Sequence, residues 1–428
     1  MRTFICRTGT RCHGSIQFCT TGVVLRQMQS DPYLKTISHL ILDEIHERDI
    51  MSDFLITLVK KIVRQRKDLK LILMSATLNS QQFSDYFGGC ELLHIPGFTH
   101  HVEEYYLEDV LEKTGFIFKS PRSQHCNTEA ASDFENEIGS YIEEMRAEKK
   151  YPQRVITQIA NPMSEYENMS LVLEVIVQIC RVSWCRDMFM SSCLTVFSRC
   201  LQEAEPGAIL IFLTGFNEIS SLMQNIRFCR DLDRRKYLLL PLHSQMETVE
   251  QKKIFETPPN GIRKIILSTN IAETSITIDD VVFVVDCGRI KMSNINVETN
   301  LQSLSSQWIT VANSVQRKGR AGRVKPGVCY HLFSKWRARS LEPYPKPEIL
   351  RTRLEDVILT IKMLQLGKAE EFLNLVMDKP DSKVVKTSIE LLKRLNALDE
   401  RENLTPLGYH LAKLPMAPQV GKMILLGE

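Results

Sequence analysis

Six short runs along the chain are apolar throughout rather than alternating: "HLILDE", "LKLILMSAT", "GAILIFLTG", "RKIILSTN", "DVVFVVDCG" and "GVCYHLF". Strands buried on both faces read this way, as in a parallel sheet covered by helices. Helical patterns such as "SDFLITLVKKIVRQRK" lie between them, so the pattern predicts α/β architecture with doubly wound parallel sheets. Polar, chemically loaded residues follow each run directly, and ligands of open α/β sheets sit at the carboxyl ends of strands.

The strands fall into two groups, one ending near "ELLHIPGFTHHVEEYYLED" and one resuming at "AEPGAILIF". Between them, "KSPRSQHCNTEAASDFENE" reads as an exposed polar linker and "EEMRAEKKYPQR" as a charged helix face followed by a break. The rest of residues 107–205 looks helical, and we read the segment as an insertion at the front of a second α/β domain. From "PEILRTRLEDVILTIKMLQLG" onward the pattern turns helical, and "TSIELLKRLNALDERENLTPLGYHLAKLP" predicts helix, short turn, helix. The expected boundaries are 1–105, 106–335, 336–404 and 405–428.

With 428 residues and 43% hydrophobic content, the chain can bury two or more cores. A formal net charge of +3 is compatible with nucleic acid without arguing for it. The 12 cysteines form no CxxC pair and no zinc spacing. Their densest set, Cys180, Cys185, Cys193 and Cys200, lies in apolar text and reads as reduced core thiols, which suits a reducing compartment. The N-terminus lacks the apolar core of a signal peptide, and no run is long enough to span a bilayer. The expectation is a soluble protein without membrane contact, cytoplasmic or nuclear.

Candidate chemistry gathers at the strand ends. Asp43 and Glu44 leave a buried strand, where one carboxylate can hold Mg2+ and the other can orient an attacking water. Read alone, the pair also fits a solvated turn with capping acids. "SAT", Ser75 to Thr77, offers two hydroxyls to His46 or to backbone, or a cap for a helix near Ser80. "QRKGRAGR", Gln316 to Arg323, packs three arginines and a lysine around two glycines. Glycine lets backbone approach a ligand closely, and Arg320 and Arg323, one helical turn apart, can point at one anion. "STNIAETSITIDD", Ser268 to Asp280, carries hydroxyls and an amide suited to phosphate and sugar contacts. Thr20 and Thr21 open a short amphipathic helix whose N-terminus suits a phosphate, or serve only as its cap.

The order of these segments, TTG, DEIH, SAT, FLTG, STNIAETSITID and QRKGRAGR, resembles the DEAH-box branch of the superfamily 2 helicases. The DEIH spelling, the "RKG" of the arginine motif and the flanks "QSDPYL" and "GKMIL" are most similar to the RNA helicase subgroup that includes the G-quadruplex resolvases. The resemblance implies two RecA-like domains that sandwich ATP with RNA across their top, the first incomplete here, then a helical winged-helix region and the start of a ratchet domain. It further implies that Asp43 holds Mg2+ through water, Glu44 activates the attacking water, and His46 couples to Ser75 and Thr77. Gln316, Arg320 and Arg323 would meet the γ-phosphate. Phe255 would stack on adenine, and Asp279 would meet the ribose. Thr20, Thr21, Thr269, Asn270 and Thr274 would contact the RNA backbone, and "NINVETNLQSLSSQ" falls where the family places a strand-separating hairpin.

The acidic pair needs a phosphate-binding GxxxxGK[ST] loop, and the sequence holds none; "GTRCHGS", Gly9 to Ser15, has the glycine spacing without the lysine. The expectation is therefore an N-terminally truncated RNA helicase chain that hydrolyses ATP at or near background. The alternative is a non-catalytic RNA-binding or interaction module on a helicase fold.

Overall fold

The computed structural model describes residues 16–76, 80–97, 100–119, 128–188, 207–246, 251–259, 261–274, 276–296, 301–414 and 416–427. Its strands are β1 (His39–Leu42), β2 (Lys70–Leu73), β3 (Val102–Tyr105), β4 (Ala208–Phe212), β5 (Tyr237–Leu242), β6 (Arg263–Ser268), β7 (Val281–Asp286), β8 (Arg289–Asn296), β9 (Leu301–Trp308) and β10 (Gly327–His331). The chain divides into two compact units. The first comprises residues 1–95, 293–305 and 346–428, and the second residues 96–292 and 306–345.

In the first unit β1 and β2 pair in parallel, His39 opposite Lys70 through Leu42 opposite Leu73. Helix Ile50–Gln65 covers one face. It starts at Asp49, whose side chain accepts from Ser52 N–H, and it buries Phe54, Leu55, Ile56, Leu58, Val59 and Ile62. Both strands were expected to be buried on both faces. Instead Leu40 and Leu42 are buried while Ile41 and Ile72 stand 52% and 44% exposed. The reason is that, among the described residues, helices pack on one side of this strand pair. The C-terminal helices Glu355–Met363, Ala369–Leu373 and Ser382–Arg394 join the same core. An antiparallel bridge, Leu398 to Leu404, closes the turn before helix Pro406–Leu411.

The second unit is built on a six-stranded parallel sheet of order β3-β10-β7-β4-β6-β5. Its central strands are buried on both faces, as the apolar runs predict. Ile209, Ile211, Phe283 and Val285 point into one core and Leu210, Phe212 and Val284 into the other. β5 and β6 lie on one side of β4, and β7 and β10 on the other, so the strand order reverses beside β4.

Two boundary expectations are corrected. β3 was placed with the first domain, yet it is the edge strand of the second sheet, paired with β10. The segment expected as an insertion is integral to this unit. Leu107, Leu111, Ile138, Ile142, Val155, Val172 and Ile176 fill the core on one sheet face. Half of the expected polar linker is likewise helix, Thr128–Glu148, because its inward positions repeat at helical spacing. Residues 120–127 lie outside the described set. The free cysteines among the described residues include Cys180, buried in helix Met169–Met188, as expected of a core thiol; Cys193 and Cys200 lie outside the described residues.

Candidate functional sites

In the first unit the acidic turn is fixed by strand pairing. Met74 N–H donates to Leu42 O at 2.8 Å and Ile45 N–H to Met74 O at 3.2 Å, so the ends of β1 and β2 are laced together. Asp43 Oδ1 accepts Glu44 N–H at 2.9 Å. Glu44 has φ 57°, a left-handed conformation that a glutamate adopts only where its surroundings impose it. His46 reaches the "SAT" segment, where its Nδ1 accepts Ala76 N–H at 3.3 Å. Glu44 Oε2 lies 3.5 Å from the same Nδ1. Ser75 is half-buried beside it; Thr77 lies outside the described residues.

Arg48 ends the turn, again with φ 51°. Its guanidinium grips Asp53 at 2.8 and 3.0 Å and also bonds Asp378. Its carbonyl accepts Glu348 N–H at 3.1 Å, and the Glu348 carboxylate accepts Ile50 N–H at 3.1 Å. Thus the acidic turn is pinned to the C-terminal helical segment of its own unit. Thr20 and Thr21 open helix Thr21–Ser30, and the Thr20 side chain does not cap it. Gly9–Ser15 lies outside the described residues.

In the second unit the segment Ser268–Asp280 is the hub. Thr269 and Asn270 follow β6, with Thr269 N–H on Leu242 O at 3.1 Å. The side chain of Thr274 is outside the described residues. Helix Val311–Gly319 begins at Thr310 with a reciprocal cap to Asn313, which fixes its phase. Asn313 and Arg317 then share one face, and both bond Glu273, at 2.9 and 2.6 Å. Arg317 is wholly buried and also bonds Asp286 at 2.7 Å. Burial acts against the charge of Asp286, but Arg317 and His331 hold its carboxyl down at about 2. Burial raises Glu273 despite the same guanidinium.

The helix ends at Gly319, so no continuous helical turn joins Arg320 to Arg323 as the sequence suggested. They converge by another route. Arg320 donates to Ile276 O at 2.9 Å, and Arg323 donates to Thr277 Oγ1 at 2.7 Å. Gln316 is half-buried on the same helix. The two glycines also differ. A Cβ on Gly319 would meet open space, whereas one on Gly322 would fall 2.6 Å from Val102 and 2.7 Å from His100 O. Gly322 therefore serves packing against β3 rather than approach to a ligand. Phe255 is 54% exposed in the short helix Lys253–Phe255, and Asp279 is exposed in the turn before β7. Both precede strands, so they lie at the opposite end of β6 from Thr269.

Arg317, Glu273 and Lys264 were not singled out from sequence. The signal for Arg317 was its four-residue spacing from Asn313 behind a clear Thr310 cap, which places it inward.

Residues 192–325 match the helicase conserved C-terminal domain, and residues 388–416 the winged-helix helicase-associated domain HA2. The human ATP-dependent DNA/RNA helicase DHX36 is 45% identical over 97% of this chain and 40% of its own length. Over almost its whole length the chain is similar to ATP-dependent DExH-box helicases. The Arabidopsis thaliana DExH-box ATP-dependent RNA helicase DExH1 is 43% identical over 96% of this chain and 40% of its own. Rat ATP-dependent RNA helicase DHX30 is 38% identical over 96% and 30%. The chain thus spans about 40% of the length of the first two of these DEAH-box relatives. The parallel-sheet fold and winged-helix region expected of the family are present. No helix among the described residues is long and apolar enough to cross a membrane.

Proposed function

We propose that this chain carries ATP-dependent nucleic-acid helicase chemistry, with RNA as the substrate and ATP with Mg2+ as the fuel. One observation carries the reading. A single segment of the second unit holds Thr269 and Asn270 at a strand end and is bonded at Glu273, Ile276 and Thr277 by Arg317, Arg320 and Arg323. Groups suited to a phosphate chain and groups suited to a sugar–phosphate track are wired through the same few residues. A change in the charge that Arg320 and Arg323 face therefore moves the RNA-contacting loop. Helicase coupling requires this kind of link.

The acidic turn fits a magnesium ion. Asp43 and Glu44 offer hard oxygen donors on a rigid backbone, and Mg2+ keeps most of its water and takes only one or two carboxylates. The ion would neutralise phosphate charge. Asp43 would hold the ion through water, Glu44 would take a proton from the attacking water, and His46 holds the turn against Ala76. Gln316, Arg320 and Arg323 face the γ-phosphate, Thr20 and Thr21 add phosphate contacts at a helix start, and Phe255 with Asp279 takes the adenosine.

The sequence holds no GxxxxGK[ST] loop, which favours a second reading of the polypeptide alone: RNA binding without turnover. ATP hydrolysis by the purified chain with and without single-stranded RNA separates the two. RNA-stimulated turnover lost in Glu44→Gln supports the first reading. RNA binding with no stimulated turnover supports the second, and neither activity rejects both.

A further inference from the structure

We propose that Lys264 is the positioning residue of the adenosine subsite, one buried ammonium that fixes both the backbone presenting Phe255 and the turn presenting Asp279. The inference rests on the reading of Phe255 and Asp279 given above and adds a residue that no motif marks.

Lys264 is the second residue of β6, and it is 1% exposed. A lysine almost never sits this deep unless each of its three N–H groups finds an acceptor. Here there are three. Nζ donates to Ile254 O at 2.7 Å, to Glu256 O at 3.0 Å, and to Asp280 Oδ2 at 2.9 Å. The Ile254 carbonyl belongs to the peptide that enters Phe255 and the Glu256 carbonyl to the peptide that leaves the next residue, so the backbone is held just before and just after Phe255. Ile254 is itself fully buried, while the Phe255 ring stands 54% exposed. An exposed aromatic on so rigid a backbone makes a stacking platform whose ordering cost is met before the ligand arrives. The third acceptor belongs to the residue after Asp279, which ties the ribose-facing turn to the same point.

An apolar side chain could close the end of β6 as well as Lys264 does if sheet packing were its only role. A methionine there would leave two carbonyls and a carboxylate without partners, and they would turn toward water. Thr269 and Asn270, at the other end of β6, would be untouched. A structural role would weaken every ligand together, whereas a positioning role weakens the base contact alone.

The test uses the whole chain, with AMP and CMP as probes in saturation-transfer difference NMR, single-stranded RNA in fluorescence anisotropy, and hydrogen exchange of residues 251–259. In the wild type, saturation should reach the adenine protons and AMP should bind more tightly than CMP. Phe255→Ala should weaken AMP about five- to tenfold, the range for loss of one base–aromatic stack. Lys264→Met should weaken AMP similarly, speed exchange around Phe255 and leave RNA affinity unchanged, and Lys264→Arg should restore part of the loss. If Lys264→Met does not fold, Asp280→Asn is read instead and should shift AMP affinity in the same direction by less. AMP affinity that falls in Phe255→Ala but not in the Lys264 or Asp280 variants overturns the inference and leaves the subsite reading standing. Equal loss of AMP and RNA binding in Lys264→Met also overturns it. A wild type that ignores AMP, or a Phe255→Ala variant that matches wild type, overturns the subsite reading and the inference with it.

Discussion

Arg317 and Glu273 are joined by a 2.6 Å bond between groups that are both sealed from solvent, one on the arginine-rich helix and one in the short helix Ile271–Thr274 of the loop after β6. The bond makes helix and loop one mechanical piece. Asp286, at the end of β7, takes the other side of the same guanidinium, so the piece is anchored in the sheet. Arg320 and Arg323 add two more ties from the segment past the helix end to the same loop.

Replacing Arg317 by Met leaves two buried carboxylates without their cation. Breaking a buried charge cluster in this way costs on the order of 3–5 kcal/mol. All three tryptophans, Trp184, Trp308 and Trp336, belong to the second unit, so tryptophan fluorescence, excited selectively, follows this unit alone. The expected outcome is a clearly lower denaturant midpoint by fluorescence. Arg317→Lys should recover little, since an ammonium cannot reproduce the two-sided fork. A midpoint matching wild type would show that the cluster does not hold the loop.

The same cluster sets a response to acid. Asp286 and Glu104 are both held at about 2 in the folded chain, below ordinary values of 3.8 and 4.5. His331 leads the causes at Glu104, with Lys318 contributing, and Arg317 and His331 outweigh burial at Asp286. A depressed carboxylate stabilises the fold above its unfolded pKa and loses that contribution as pH falls through the folded one. Through these two carboxylates the fluorescence midpoint should drop between about pH 4 and 2. Asp286 alone accounts for roughly 2 kcal/mol of that loss. Asp286→Asn should start lower and fall less steeply; a parallel curve would exclude the link.

In the first unit, Arg48 joins the acidic turn to Asp378. Around that pair, Tyr86 donates to Leu375 O at 2.8 Å and Phe54 packs on Phe372 at 4.9 Å between ring centroids. Arg48→Ala strips Asp53, which is 1% exposed, of its cation and should cost several kcal/mol. Asp378→Ala, at a position 29% exposed, should cost about 1 kcal/mol or less. Hydrogen exchange of helix Ile50–Gln65 checks both: Arg48→Ala should raise it strongly and Asp378→Ala slightly. Equal effects would assign the anchoring to Asp378.

How far this could be read in advance follows from which signals are local. The strands of the second sheet were legible because Ile209–Phe212 and Val281–Val285 are apolar on both faces, and that pattern needs no partner to interpret. β5 was not, since "YLLLPL" contains Pro241, which argues against a strand unless it lies at an edge, as here. β3 carries Glu103 and Glu104 and gave no apolar signal; its place comes from pairing with β10. Among the site residues, Asp43, Arg320 and Arg323 stand out by chemistry. Arg317 and Lys264 do not, because a buried charge is recognisable only once its distant acceptors, Glu273, Asp286 and Asp280, are known.

Nucleic-acid affinity provides the sharpest check of the strand-end track. Thr269 and Asn270 present one hydroxyl and one amide at the end of β6, on a loop fixed by Ser268 Oγ donating to Thr269 O at 2.7 Å and Glu273 N–H donating to Asn270 O at 2.9 Å. Neutral donors of this kind orient a sugar–phosphate backbone, while cations supply most of the attraction. Binding of single-stranded RNA should therefore weaken steeply with salt, about tenfold or more between 50 and 200 mM if several phosphates are neutralised. Thr269→Ala with Asn270→Ala should weaken binding at every salt concentration while leaving the slope almost unchanged, because no charge has been removed. It should also leave the fluorescence midpoint within about 0.5 kcal/mol, since neither side chain is in the core. Anisotropy across a salt series reads affinity and slope, and a denaturant titration reads the midpoint. Affinity that ignores the double substitution would place the track elsewhere, and a changed slope would mean the two residues act by moving a cation rather than by touching RNA.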